Sequence, residues 1–166
     1  VNIPSTGNGR SVIYLFAKMS EVKNFDACIT GGGLAGLALS IQLAKLGYSV
    51  ALFEKEQYPF HKVCGEYISL ESWNFIEELG FPLSGSQLPM IKKLIVTAPN
   101  GNELKQELPL GGFGISRYKL DAGLKDIAIA NKVAVFENCK VNDIHFADDE
   151  FKLSTSNGDF TCRVCC

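Results

Sequence analysis

The sequence predicts an α/β domain with a central parallel sheet, because an apolar run, a glycine-rich turn and a helical segment lead into a second apolar run. The first run covers residues 26–30, and apolar residues recur at helical spacing over 34–46. The second run covers 49–53. A strand–helix–strand unit of about 30 residues favours parallel strands joined by a right-handed crossover.

Further strands and helices are expected after this unit. A loop is predicted over 57–67, and Ser69 is placed to cap a helix that ends at Leu79. Three glycines near residue 112 predict a loop before a helix over 117–130. Two Asn-Gly turns predict antiparallel hairpins. The remaining expected strands are 92–98, 103–108, 133–136, 140–146, 151–155 and 159–164.

Composition limits the class of protein. The chain has 166 residues, of which 46% are hydrophobic, and a net charge of −2, which suits one globular domain with a substantial core. This charge gives no electrostatic reason to expect a nucleic-acid partner. No apolar stretch approaches the roughly 18–20 residues that cross a bilayer, and no signal peptide is evident. We therefore expect a cytoplasmic protein without a transmembrane segment.

The two ends of the chain are unlike its centre. Residues 1–18 are expected to be a leader or a disordered arm, with a short ordered arm as the alternative, and 19–166 to be the folded domain. Three of the six cysteines cluster at Cys162, Cys165 and Cys166. Because no nearby side chain completes a four-ligand set, no metal site is predicted, and reduced thiols are expected.

The turn after the first strand carries the functional signal. Gly31-Gly-Gly33-Leu-Ala-Gly36 matches Gly-x-Gly-x-x-Gly, in which the glycines allow a tight turn, close approach of a pyrophosphate, and close packing of helix on strand. The helix N-terminus attracts phosphate charge. Glu54, at the end of the second strand, is placed to accept hydrogen bonds from ribose hydroxyls. This arrangement predicts a site for the ADP half of a dinucleotide.

The segment after Glu54 favours FAD over a nicotinamide dinucleotide. A dehydrogenase domain would normally continue with further strand–helix units in the same sheet. Here the chain makes a loop, a helix and an antiparallel hairpin instead. An NAD(P)-dependent dehydrogenase is retained as an alternative.

Four segments resemble FAD-dependent oxidoreductases. They are 26–38, 53–55, 59–66 (Pro-Phe-His-Lys-Val-Cys-Gly-Glu) and 114–121 (Gly-Ile-Ser-Arg-Tyr-Lys-Leu-Asp). In this order they are similar to the geranylgeranyl reductase branch of the aromatic-hydroxylase-type flavoprotein monooxygenase superfamily, from about Asn24 to Arg163. The resemblance implies a Rossmann-like FAD/NAD(P)-binding domain with antiparallel hairpin additions.

The resemblance also implies roles for individual residues. Those implied to contact the cofactor are Gly31, Gly33, Leu34, Ala35 and Gly36 at the pyrophosphate, Glu54 at the ribose, Lys55 and Val141 at the adenosine, Lys62 in a segment near the flavin, and Arg117 at the start of a helix that flanks the cofactor. Cys64 matches a cysteine facing the flavin ring and is the candidate catalytic residue. Alternatives remain: Arg117 could pair with Asp121 one helical turn on, the lysines could be solvated, and Cys64 could be an ordinary loop thiol.

The chain departs from the resembled enzymes in length. They are about twice as long and continue, after the strand at 159–164, with a second flavin-contacting turn and a substrate domain. The terminal cysteines suggest an altered reading frame or a truncation, so weak FAD binding or none is expected of this chain alone. The expected function is the FAD-binding portion of a reductase or monooxygenase for an apolar, isoprenoid-like or aromatic substrate, with NAD(P)H as a candidate external reductant. A catalytically inactive nucleotide-binding fragment is the other alternative.

Overall fold

The computed structural model describes residues 23–166, which form two β-sheets and three α-helices. The strands are β1 (Lys23–Thr30), β2 (Val50–Phe53), β3 (Tyr67–Ser69), β4 (Met90–Thr97), β5 (Glu103–Gly114), β6 (Ala134–Phe136), β7 (Val141–Ala147), β8 (Glu150–Thr155) and β9 (Gly158–Cys165). The helices are α1 (Leu34–Lys45), α2 (Trp73–Leu79) and α3 (Arg117–Ala130).

The larger sheet has the strand order β6-β2-β1-β9-β8-β7. Its first four strands are parallel, whereas β8 and β7 are added as antiparallel hairpin strands. Helix α1 connects β1 to β2, and Ala27 pairs with Val50. Strand β9 lies on the other side of β1, and the Thr30 N–H donates to the Cys166 carbonyl at 2.7 Å. The predicted α/β fold with a central parallel sheet is confirmed.

The smaller sheet has the order β3-β5-β4 and is antiparallel. Two sequence predictions were wrong here: β3 lies at the junction predicted as loop and helix, and β5 runs through Gly114 where a loop was expected. The physical reason lies in the glycines. A Cβ at Gly112 would overlap the Tyr67 ring, so this glycine lets β3 pair closely with β5.

The second helix also begins later than expected. Leu70–Ser72 form one turn of 3-10 helix, α2 starts at Trp73, and the Ser69 side chain makes no capping hydrogen bond. By contrast, the Ser116 hydroxyl accepts from the Lys119 N–H at 3.3 Å and caps α3, whose bounds match the predicted ones.

Side chains that alternate along β1 and β2 form cores on both faces of the larger sheet. Ile29 and Leu52 pack with α1 and α3, and Cys28 and Phe53 pack on the opposite face. On that face Phe53 meets Phe160 edge-on, with the ring centroids 4.8 Å apart. Strands buried on both faces hold the ends of β1 and β2 in fixed positions, and the candidate site lies at those ends.

The predicted leader at residues 1–18 lies outside the described residues. Within 23–166, no helix has the length and apolar character needed to cross a membrane.

Candidate functional site

The glycine turn joins β1 to α1, and Gly31 and Gly36 are glycines for different reasons. Gly31 has a φ of +102°, a left-handed conformation that residues with a Cβ rarely adopt. A Cβ at Gly36 would overlap the Gly31 carbonyl oxygen and lie 3.2 Å from the Ile29 Cγ2. Gly36 therefore allows the first turn of α1 to pack directly on the turn that precedes it.

The start of α1 presents free backbone donors to an open space. Gly33 is the N-cap, and the first helical hydrogen bond runs from the Leu37 N–H to the Gly33 oxygen at 2.9 Å. The N–H groups of Leu34 and Ala35 precede that bond and have no intrahelical acceptor. A Cβ added to Gly33 would meet no atom within 4 Å, and the first turn contains no acidic residue. This geometry suits an anion.

Glu54 is buried beside the turn, with 6% of its surface exposed. Its Oε2 accepts from the Gly32 N–H at 3.0 Å, and its Oε1 accepts from the Glu56 N–H at 3.1 Å. A carboxylate offers about four acceptor positions, so each oxygen keeps one for a further donor such as a ribose hydroxyl. Glu54 thus supports the turn and retains capacity for a ligand.

A cleft of about 340 Å³ opens next to this turn. Its lining residues come from the ends of β1 and β2 and the start of β7: Thr30, Gly31, Phe53, Glu54, Lys55, Cys139, Lys140 and Val141. The structure therefore brings Lys55 and Val141 to the same cleft as Glu54. Lys140 and Cys139 also line it, and sequence reasoning did not select them. A larger cavity of about 420 Å³ lies between α1 and α2. Leu34 and Ala35 line it, but the lining is mostly apolar and lacks Glu54.

Tyr58 contacts the turn from inside the protein. Its side chain is buried, its hydroxyl donates to the Gly32 carbonyl, and its own N–H donates to the Glu137 Oε1 at 2.7 Å. Burial raises the pKa of Tyr58, and the charge of Glu54 adds to that shift. Sequence reasoning missed both Tyr58 and Gly32, because the contact between them depends on tertiary structure and no motif marks it.

Lys62 and Arg117 meet at Asp121, whose side chain is 4% exposed. Arg117 donates to the Asp121 carboxylate from Nε at 2.7 Å and from Nη2 at 2.9 Å, and the Lys62 Nζ donates at 3.1 Å. Hydrogen bonding to Asp121 raises the pKa of Arg117, to which the neighbouring Cys64 also contributes. The alternative pairing of Arg117 with Asp121 is therefore present.

Cys64 lies in the loop between β2 and β3 and is exposed. Its Sγ accepts from the Glu66 N–H at 3.4 Å, and it is near enough to Arg117 to contribute to the raised pKa of that residue. In the same loop the Lys62 Nζ is 4.0 Å from the Glu54 Oε2. Lys62 and Cys64, predicted near the flavin, and Arg117, predicted to face the cofactor, thus form one cluster, which adjoins Glu54 through Lys62.

The region of the turn matches a known family model, and parts of the chain are similar to known enzymes. Residues 29–64 match the model of an NAD(P)-binding Rossmann-like domain. The chain is 40% identical over 63 residues to a 1H-pyrrole-2-carbonyl-[peptidyl-carrier protein] brominase of Pseudoalteromonas luteoviolacea, covering 37% of this chain and 15% of that protein. It is 44% identical over 48 residues to a thiamine thiazole synthase of Fervidobacterium nodosum, covering 29% of this chain and 17% of the relative.

Solved structures extend the similarity to most of the chain. A flavin-dependent brominase superposes with a TM-score of 0.71 at 23% identity, covering 86% of this chain and 37% of that chain. A p-nitrophenol 4-monooxygenase from Pseudomonas putida superposes with a TM-score of 0.72 at 16% identity, covering 87% and 40%. The chain thus spans well under half of these structures, and it has the Rossmann-like α/β fold found in flavoprotein halogenases and monooxygenases.

Proposed function

We propose that this chain is the ADP-binding portion of an FAD-dependent oxidoreductase that acts on an apolar small molecule. The observation that carries the proposal is the open space in front of Gly33, at the N-terminus of α1, beside a buried carboxylate at Glu54. An adenosine diphosphate group needs a helix N-terminus with open space for its pyrophosphate and a carboxylate for its ribose, and the turn places these two features next to each other.

The residues around the turn fit this group. In the proposed arrangement the pyrophosphate accepts hydrogen bonds from the N–H groups of Leu34 and Ala35, and Glu54 accepts from the ribose hydroxyls. The adenosine occupies the 340 Å³ cleft, against Val141 and Lys55. Because the carboxylate of Glu54 would repel a ribose 2′-phosphate, the site favours a ligand without one.

Two observations favour FAD over a nicotinamide dinucleotide. After β2 the chain leaves the larger sheet and forms a second, antiparallel sheet, as in the flavoenzyme folds that it matches. The cluster of Lys62, Cys64 and Arg117 adjoins the site on the Glu54 side, where it could contact a flavin ring. A bound flavin would supply the redox chemistry, and these side chains would hold or orient the ring.

Two kinds of reaction are each supported by a different observation. The Lys62-Val-Cys64-Gly-Glu66 segment supports reduction of an isoprenoid-like double bond, with NAD(P)H as the external reductant. The similarity to halogenases and a nitrophenol monooxygenase supports oxygen-dependent chemistry on an aromatic substrate. Within this proposal the protein is a cytoplasmic flavoenzyme.

Titration of the 166-residue chain with ADP, followed by amide chemical shifts, tests the proposal. Even a Kd of about 1 mM, equivalent to about −4 kcal/mol, is measurable in this way. We expect the largest shifts at Gly33, Leu34 and Ala35, with a second group around Val141. ADP is the probe because its proposed contacts lie between residues 31 and 141, whereas the chain alone is expected to bind FAD weakly or not at all. NADP should compete for the same amides less effectively than NAD, because of the charge at Glu54.

Matched glycine variants provide the control. Gly33 and Gly85 both have open space where a Cβ would stand, and neither has a positive φ, so both should accept valine without unfolding. Gly33→Val would fill the proposed phosphate space and abolish ADP binding, whereas Gly85→Val should bind as the wild type does. Normal ADP binding by Gly33→Val, or a wild-type titration that moves no amide at the turn, would refute the assignment.

A further inference from the structure

We propose that Tyr58 is a positioning residue of the nucleotide site, which orients the Gly33 N–H toward the ligand by holding the carbonyl of Gly32. This inference rests on the proposed function, because it assigns a role within the same site. It concerns a residue outside the glycine motif, 26 positions after Gly32.

The planarity of the peptide bond links the two groups. The Gly32 carbonyl and the Gly33 N–H belong to one peptide unit, which is flat and trans, so they point in opposite directions. The Tyr58 hydroxyl donates to that carbonyl from the buried side. The Gly33 N–H consequently points away from the interior. Space around Gly33 is open, since a Cβ there would meet no atom within 4 Å.

Glu54 fixes the preceding peptide unit in the same manner. Its Oε2 accepts from the Gly32 N–H at 3.0 Å, so both peptide groups that flank the Gly32 Cα are held by buried side chains. Glycine has the greatest backbone freedom of all residues, and Gly31, Gly32 and Gly33 are consecutive. A run of three glycines would sample many orientations of its N–H groups, and the two side chains select one before a ligand arrives.

Tyr58 is itself firmly placed. Its N–H donates to the Glu137 Oε1 at 2.7 Å, and the centroid of its ring lies 5.5 Å from that of Phe60. Only 7% of the residue is exposed. Burial, reinforced by the charges of Glu54, Asp121 and Glu137, raises its pKa, so the hydroxyl keeps its proton and stays a donor over the range in which proteins work. A donor is what the Gly32 carbonyl requires.

The same contact explains why Gly32 is glycine. A Cβ at this position would overlap the Tyr58 hydroxyl and would lie 3.0 Å from the Glu54 Cβ. The space beside Gly32 is thus filled by the two side chains that hold its peptide groups. Gly33, by contrast, has open space that we assign to the ligand.

Tyr58→Phe tests the inference, since it removes the hydroxyl and keeps the ring. We expect ADP to bind about tenfold more weakly, and the Gly33 amide of the free protein to shift and to exchange faster with solvent. Tyr48→Phe is the matched control, because Tyr48 is 48% exposed and its hydroxyl has no protein partner within residues 23–166. A role limited to stability would lower the unfolding free energy and leave the ADP affinity of the folded variant unchanged.

The outcomes separate this inference from the proposed function. If the wild type binds ADP and Tyr58→Phe binds equally well, the positioning role of Tyr58 is wrong and the site assignment stands. If the wild type binds no ADP, the site assignment fails, and the inference fails with it. Should Tyr58→Phe not fold, the inference is tested on wild-type protein labelled at the tyrosine ring carbons. We expect ADP to shift the Tyr58 signal and to leave the Tyr48 signal in place. An unmoved Tyr58 signal overturns the inference.

Discussion

Replacing Asp121 with asparagine should destabilise the chain substantially. The carboxylate is 4% exposed and accepts three charge-assisted hydrogen bonds, two from Arg117 and one from Lys62, at 2.7–3.1 Å. Asparagine keeps one acceptor oxygen, and its NH₂ group would face donors where the second oxygen stood. Removing one partner of a buried ion pair costs about 3–5 kcal/mol.

The expected loss is somewhat smaller than that range. The Arg117 and Lys62 side chains are 20% and 25% exposed, so water recovers part of their solvation when the carboxylate is gone. We therefore expect Asp121→Asn to lower the free energy of unfolding by about 2–3 kcal/mol, a large share of the 5–15 kcal/mol typical of a domain. Urea denaturation followed by circular dichroism measures this difference.

The same substitution at Asp126 is the control. Its side chain is 71% exposed and pairs with Lys125 at 2.8 Å, so Asp126→Asn should change the unfolding free energy by less than about 0.5 kcal/mol. If Asp121→Asn costs no more than Asp126→Asn, the Lys62–Asp121–Arg117 cluster does not hold the loop of Cys64 against α3, and the reasoning fails.

Three further predictions follow from burial. Cys64 and Cys166 are exposed, so a thiol reagent should modify them in the native protein, whereas Cys28 should react only after denaturation. Rapid labelling of Cys28 in the native protein would contradict its burial in the core. Burial raises the pKa of Cys28, so the folded chain keeps a proton that the unfolded chain releases above about pH 8.5. The free energy of unfolding should therefore fall as the pH rises above that value. Cys28→Ala should flatten this pH dependence in urea titrations from pH 8 upward. Gly32→Ala should destabilise by about 1–3 kcal/mol through overlap with Tyr58, whereas Gly85→Ala should be neutral or slightly stabilising in the same assay.

The strand–turn–helix–strand unit could be predicted from sequence because its signals are local. The apolar run before Gly31 and the helical spacing after it depend on neighbouring residues, and the observed bounds of α1 differ from the predicted ones by one residue at Leu46. The pairing of Arg117 with Asp121 was equally readable, since residues four apart meet on a helix face.

The remaining features depend on contacts between distant segments. Strand β3 has only three residues, and Gly112, one of the glycines that predicted a loop, accommodates the Tyr67 ring of β3. The pairing of β3 with β5 therefore carries no local signal. Tyr58 meets Gly32 across 26 positions, and Lys62 meets Asp121 across 59. No periodicity or motif encodes such pairs, and they become visible only when the sheet brings the loop after β2 beside the glycine turn.

A crystal structure of the chain with ADP tests the central claim most directly. We expect the pyrophosphate within hydrogen-bond distance of the N–H groups of Leu34 and Ala35, the ribose against Glu54, and the adenine in the cleft at Val141. An ADP molecule bound in the apolar cavity between α1 and α2, or crystals grown in saturating ADP with none at the turn, would contradict it.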